Sequence, residues 1–229
     1  MEPMTAPANP PTNPGPPPKA HESAAKRDWP GYFKAVEGKP PRDTLLKALE
    51  LFEKEWAAAP ASRPAAPFAI DLGCGSGRDT FELLRRGWRV LATDATPLAI
   101  DLLLKAVPPE QRPRLETRVA AFETLTLPQA TLVNASYSIP FCDPDAFPRL
   151  WQTIKHAIPI GGRFAGQFFG PRDDWAQLTD RSHKSRSEID KLFEAFTLES
   201  LQEVENREAG ATGEIKNWHI FHIVAKRRI

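Results

Sequence analysis

The stretch Ile70-Asp71-Leu72-Gly73-Cys74-Gly75-Ser76-Gly77-Arg78 constrains this chain more than any other. Upstream, Phe68-Ala69-Ile70 is a short apolar run of strand character. Downstream, Thr80 to Arg86 reads as a helix, with apolar residues at 81, 83 and 84. Three glycines therefore sit at a strand-to-helix turn. Glycine adopts backbone angles closed to other residues and leaves no Cβ to block a ligand. The helix that follows points free N–H groups and a positive dipole end back at the turn. Such a turn suits the polar tail of a nucleotide-like cofactor.

Spacing narrows the choice. The dinucleotide fingerprint is G-x-G-x-x-G. Here the order is G-x-G-x-G, and Arg78 stands where the third dinucleotide glycine would be. Asp71, at a strand end, could take an ammonium group or fix the loop. Trp88 to Thr93 reads as a second strand, and Asp94 follows it. An acid about 20 residues beyond the turn can accept hydrogen bonds from both ribose hydroxyls. Asp71, the glycine spacing and Asp94 together resemble the class I S-adenosylmethionine-dependent methyltransferases, roughly over residues 40–229. The resemblance implies an α/β fold: a Rossmann-like, mostly parallel seven-stranded sheet with helices on both faces and an antiparallel C-terminal edge hairpin. It also implies S-adenosylmethionine as cofactor.

The rest of the chain divides around this centre. Residues 1–20 are rich in Pro, Ala and Asn, and too poor in large apolar groups to offset their ordering entropy; a disordered tail is expected. Residues 21–66 read as an N-terminal helical extension. Trp29, Tyr32 and Phe33 lie on a segment outside the sheet, with no strand or long helix of its own. They form either a strap on the core or, as the resemblance suggests, a lid over the cofactor. Asp43 is expected to cap a helix from Thr44 in which Leu45, Leu49, Phe52 and Trp56 share a face. The main domain spans 67–229. Its later helices are expected at 96–106, capped by Thr96 with Pro97 first, at 145–158 and at 186–196. Further strands are expected at 114–121, 130–135, 163–169, 197–205 and 217–226. Alternating strands and helices indicate a parallel sheet, and the two closing strands suggest an antiparallel hairpin.

In such sheets the ligand lies outside the C-terminal strand ends. The resemblance places Asp71, Gly73, Gly75, Gly77, Asp94, Ala95, Phe122, Glu123 and Asn134 around the cofactor. Relatives carry an acid for the adenine amine where this chain has Ala121. Glu123 could replace it, or the Phe122 backbone could, with its ring against the adenine. Asn134 is followed by Ala-Ser-Tyr, so the Pro-Pro-aromatic signature of amino-methylating enzymes is absent. Tyr137 is the candidate catalytic residue, as a pocket wall or weak base. Trp29, Tyr32, Gln167 and Arg172 are candidate acceptor contacts. Asp173 and Asp174 read rather as a capped turn, and Cys142 as a small packing residue. His183, His219 and His222 have no metal-ligand spacing, so no metal is expected.

Net charge of +1 in 229 residues supplies no general field for nucleic acid. No apolar run approaches the ~20 residues of a membrane span, and the N-terminus lacks a signal-peptide pattern. The two cysteines make no disulfide framework. The expectation is a cytoplasmic enzyme, monomeric or a weak homodimer, that methylates a small molecule. The alternatives are an NAD-dependent oxidoreductase, disfavoured by Arg78 and by the lack of a second domain, and a non-catalytic S-adenosylmethionine-binding module.

Overall fold

Seven strands form a single sheet in the computed structural model, which describes residues 27–211, 213 and 215–229. The expected tail at 1–20 lies outside the described residues. Strands β1 (Phe68–Leu72), β2 (Arg89–Asp94), β3 (Leu115–Val119), β4 (Leu132–Ala135) and β5 (Arg163–Phe169) run parallel. Strands β6 (Phe196–Ala209) and β7 (Ile215–Arg227) form the hairpin, with β7 antiparallel to β5. The order is β3-β2-β1-β4-β5-β7-β6. Six helices accompany them among the described residues: α1 (Trp29–Val36), α2 (Asp43–Ala58), α3 (Arg78–Arg85), α4 (Pro97–Ala106), α5 (Phe147–Ala157) and α6 (Arg186–Leu192).

The sheet is covered on both faces, and period-two alternation assigns each side chain to a layer. Ala69, Val90, Ala92, Leu132, Ala165 and Val224 face one layer, built with residues of α2, α3 and α4. Ile70, Leu91, Val133, Phe164, Ile223 and Ala225 face the other, which includes residues of α5 and α6. The helix from Asp43 is part of the first layer: Leu45, Leu49 and Phe52 are buried, and Phe52 and Trp56 pack on Trp88 with centroids 5.4 and 5.6 Å away. The Arg163 guanidinium lies 4.2 Å over the Phe52 ring and bonds Glu199 and Glu55, which ties β5 and β6 to α2.

Within the extension, residues 29–36 form a short helix begun by Asp28, whose carboxylate accepts from the Gly31 N–H at 3.1 Å. Several local expectations are corrected. Asp43 is not a cap; Arg42 holds that position, and its N–H is taken instead by Asp79 at 2.9 Å. Thr96 is at the cap position of α4, but its hydroxyl makes no capping bond. Helix α6 ends at Leu192, because Phe196 opens β6. The hairpin strands run longer than their apolar patterns, since β6 beyond Leu201 pairs with β7 through backbone bonds while carrying charged, exposed side chains.

Trp88→Ala empties a fully buried site shared by α2 and α3. The expected loss is about 3–5 kcal/mol, read as a lower denaturation midpoint with an unchanged slope.

Candidate active site

A cavity of about 500 Å³ opens at the C-terminal ends of the parallel strands. Its floor begins at β1. The Asp71 carboxylate is buried and accepts from Thr80 Oγ1 at 2.6 Å and Asn134 Nδ2 at 2.9 Å. Asp79, one residue into α3, is also buried; it accepts from the Arg42 N–H, from Asn134 Nδ2 at 3.0 Å and from Ser136 Oγ at 2.5 Å. Asn134 thus bridges two carboxylates. Burial, and next the charge of Asp79, push the Asp71 carboxyl up to about 7, against the hydrogen bonds of Thr80 and Asn134. Among the described residues, no lysine or arginine side chain forms an ion pair with either acid. Two buried acids without a cation, at the rim of a cavity, suit a positively charged ligand group.

The glycine turn lies above them. Gly75 has φ +53, and a Cβ there would meet the Phe33 ring at 3.3 Å. A side chain at Gly73 would collide with Ser138, whose hydroxyl donates to the Leu72 carbonyl at 2.5 Å. Gly73 and Gly75 border the cavity; Gly77 does not, and packs its αL turn against Leu103 and Phe81. Asp94 accepts from the Gly75 N–H at 3.0 Å and the Thr96 N–H at 2.8 Å. Each carboxylate oxygen retains a second lone pair for a ligand hydroxyl. Ala95, Ala121, Phe122 and Glu123 line the same end.

At the other end the walls are aromatic. Trp29 packs edge-on to Phe141 at 5.0 Å, and Trp175 to Trp218 at 5.4 Å; Tyr32, Tyr137 and Phe169 also border the space. Tyr137 has φ +53, a strained angle for a residue with a side chain. Its N–H donates to Gln167 Oε1 at 3.0 Å, and Gln167 Nε2 donates to Thr44 Oγ1 at 2.8 Å. Arg42 stacks 4.2 Å over the Tyr137 ring. Burial pushes the Tyr137 hydroxyl up, with Arg42 opposing; it stays protonated near neutral pH, as a donor and wall.

Besides Gly77, three expected site residues lie elsewhere. Asn134 acts beneath the cavity, through Asp71 and Asp79. Gln167 is buried and reaches the site only by holding Tyr137. Arg172 points away: the chain turns at Gly170, and the β6–β7 hairpin offers it Glu203, Glu205 and His219. Those three residues have ligand atoms within 4.8 Å of one another, a metal-like grouping that the Arg172 guanidinium joins. Asp173 does cap its turn, accepting from the Trp175 N–H at 2.9 Å. Cys142 is fully buried, and burial pushes its thiol up to about 12. Sequence reasoning missed Arg42, Arg78, Asp79 and Ser136; the loop order after β4 pointed to position 136, but the rest have no local signature.

Residues 69–162 match the family model of a methyltransferase domain. Residues 69–162 therefore carry a methyltransferase domain. Its likeness to solved structures includes TehB from Haemophilus influenzae, with a TM-score of 0.60 at 14% identity over 77% of this chain and 62% of that one. A TehB-like S-adenosylmethionine-dependent methyltransferase from Corynebacterium glutamicum gives 0.55 at 17% identity, covering 91% and 99%. In sequence, magnesium-protoporphyrin O-methyltransferase of Rhodobacter capsulatus is 39% identical over 70 residues, 31% of each chain. The chain thus spans about a third of that curated relative. The cofactor of such domains is S-adenosylmethionine. The cavity of the methyltransferase domain fits it in charge: Asp71 and Asp79 stand without a cation at one point, and Asp94 faces inward at another.

Asp94→Ala removes an acceptor from the turn and from any ligand hydroxyls. Affinity for S-adenosylhomocysteine should fall by about 2–4 kcal/mol, measured by calorimetry; an unchanged dissociation constant removes Asp94 from the site.

Proposed function

We propose that the chain transfers a methyl group from S-adenosylmethionine to a small-molecule acceptor. One observation carries this reading: a single cavity joins the glycine turn and its acids to an aromatic compartment, and α1 roofs the join through Phe33 over Gly75. A compartment walled by Trp29, Tyr32, Trp175 and Trp218 has room for a compact acceptor. Among the described residues no helix is long and apolar enough to cross a membrane.

The cofactor, when bound, supplies a methyl carbon already activated on a sulfonium. The protein's part is then mainly alignment and exclusion of water, where effective molarity supplies much of the acceleration. Gly73 and Gly75 allow close approach of the backbone, Asp94 orients by hydrogen bonds, and Asp71 with Asp79 supplies negative charge. Gln167 and Arg42 fix Tyr137 beside the acceptor space. Helix α1 serves as a lid: its buried Phe33 and Val36 anchor it, while Trp29 and Tyr32 face the cavity.

Incubation with labelled cofactor and a panel of small acceptors should give labelled product, and S-adenosylhomocysteine rather than NAD should raise the melting temperature. Failure of both sinks the reading. A cation beside Asp71 favours its charged form. Since the free carboxyl titrates at about 7, cofactor binding should release a proton and strengthen as pH rises through 7. Calorimetry in two buffers of different ionisation enthalpy reads that proton, and Asp71→Asn should abolish it.

The lid makes its own prediction. Trp29→Ala with Tyr32→Ala should lower turnover and cofactor affinity more than it lowers the melting temperature. A stability loss with normal affinity means that the two rings only strap the core.

A further inference from the structure

The rings at the aromatic end already carry cations. Lys216 Nζ lies 3.8 Å from the centroid of Trp218, 4.1 Å from that of Trp175 and 5.6 Å from that of Phe169. The Arg181 guanidinium lies 4.8 Å over Trp175 and 5.1 Å over Phe141. Arg42 lies over Tyr137 at the same end. All of these rings border the cavity, whereas Lys216 and Arg181 do not. Both are buried, Lys216 paired with Asp173 and Arg181 with Asp180 at 3.0 Å. They touch the wall rings without reaching the space that the rings enclose.

A cluster of aromatic rings ordinarily suits a positively charged ligand, because each ring offers the negative face of its quadrupole to a cation. Here that offer is taken. A cationic acceptor would meet rings already polarised towards Lys216 and Arg181. It would also lie near their like charges with protein rather than water between, where screening is weak. Glu208 borders the cavity too, but from an exposed stretch of β6 where water screens its charge. A flat uncharged ring meets none of these penalties. It packs edge-to-face or offset on its neighbours, and a ring whose electrons are drawn to one side is the better partner for an electron-rich ring on the other. The wall offers such contacts in series: Trp29–Phe141, Phe141–Trp175 and Trp175–Trp218 have centroids 5.0, 6.2 and 5.4 Å apart.

We propose that the acceptor is an uncharged aromatic molecule, and that Lys216 and Arg181 set this preference by occupying the ring faces that a cationic amine would need. The proposal rests on the methyl-transfer reading and names the acceptor class within it. It gives the two buried cations a part in specificity beyond their pairing with Asp173 and Asp180.

The test uses the full chain saturated with S-adenosylhomocysteine, titrated in the calorimeter with three probes of nearly equal size. These are naphthylmethanol, naphthylmethylamine (charged at neutral pH) and decahydronaphthylmethanol, whose rings are saturated. Naphthylmethanol should bind at least about tenfold more tightly than either of the others. In Lys216→Met the preference for the alcohol over the amine should shrink by at least about threefold; in Lys216→Arg, which keeps the charge, it should stay within about twofold of the parent. A role confined to folding would weaken all three probes together and leave the preference unchanged. Amine binding as tight as alcohol binding on the parent chain overturns the proposal, as does saturated-ring binding as tight as aromatic, or no binding of naphthylmethanol. An unchanged preference in a folded Lys216→Met overturns the part given to the cations. Should that variant fail to fold, Arg181→Met serves the same comparison, and the three probes on the parent chain decide the acceptor class. Failure of the parent chain to bind S-adenosylhomocysteine overturns the underlying reading and this proposal with it.

Discussion

The site depends on one buried hydrogen-bond network, Asp71–Asn134–Asp79. It joins the end of β1, the end of β4 and the first turn of α3, and through the Arg42 N–H it also fixes the start of α2. Burying two carboxylates is costly unless each is well hydrogen-bonded. Here Thr80, Asn134, Ser136 and a backbone N–H provide those bonds, and the residual cost is expressed as the raised titration of Asp71. A structure that holds such a pair together without a cation is prepared for one. The same network brackets the glycine turn, because Asp71 lies two residues before Gly73 and Asp79 two residues after Gly77.

From that anchor the aromatic end is positioned in steps. Arg42, placed by its bond to Asp79, lies over Tyr137. Gln167, from the middle of the sheet, receives the Tyr137 N–H and ties it to Thr44 on α2. The strained angle of Tyr137 is thus held from two sides, consistent with strain persisting where the surroundings over-determine it. Helix α1 closes the arrangement, with Phe33 against the turn and Trp29 against Phe141. The two ends of the cavity therefore share supports.

Reading of the chain reached the sheet, the turn and Asp94, because these follow from local rules: apolar alternation, glycine spacing, and an acid at a strand end. It read 21–66 as a helical extension without bounding the helix at 29–36, since eight residues carry too short a pattern to show a period. It set Arg172 among acceptor contacts because that residue follows a strand end. The side chain instead turns to acids on β6, more than thirty residues later, and no neighbour in sequence announces them. Gln167 was placed at the acceptor for the same reason and acts at one remove.

What the sequence determined by itself was the alternation of strands and helices and the glycine turn between the first strand and its helix, because these follow from local periodicity and glycine spacing, while the seven-stranded fold was what the resemblance implied. What only the tertiary structure decided was the partnership of distant groups: Asn134 between Asp71 and Asp79, Arg42 over Tyr137, and Trp29 against Phe141 in a cavity that Trp175 and Trp218 also line. Those contacts join positions far apart along the chain, and their energies depend on burial and distance, which exist only once the layers have packed.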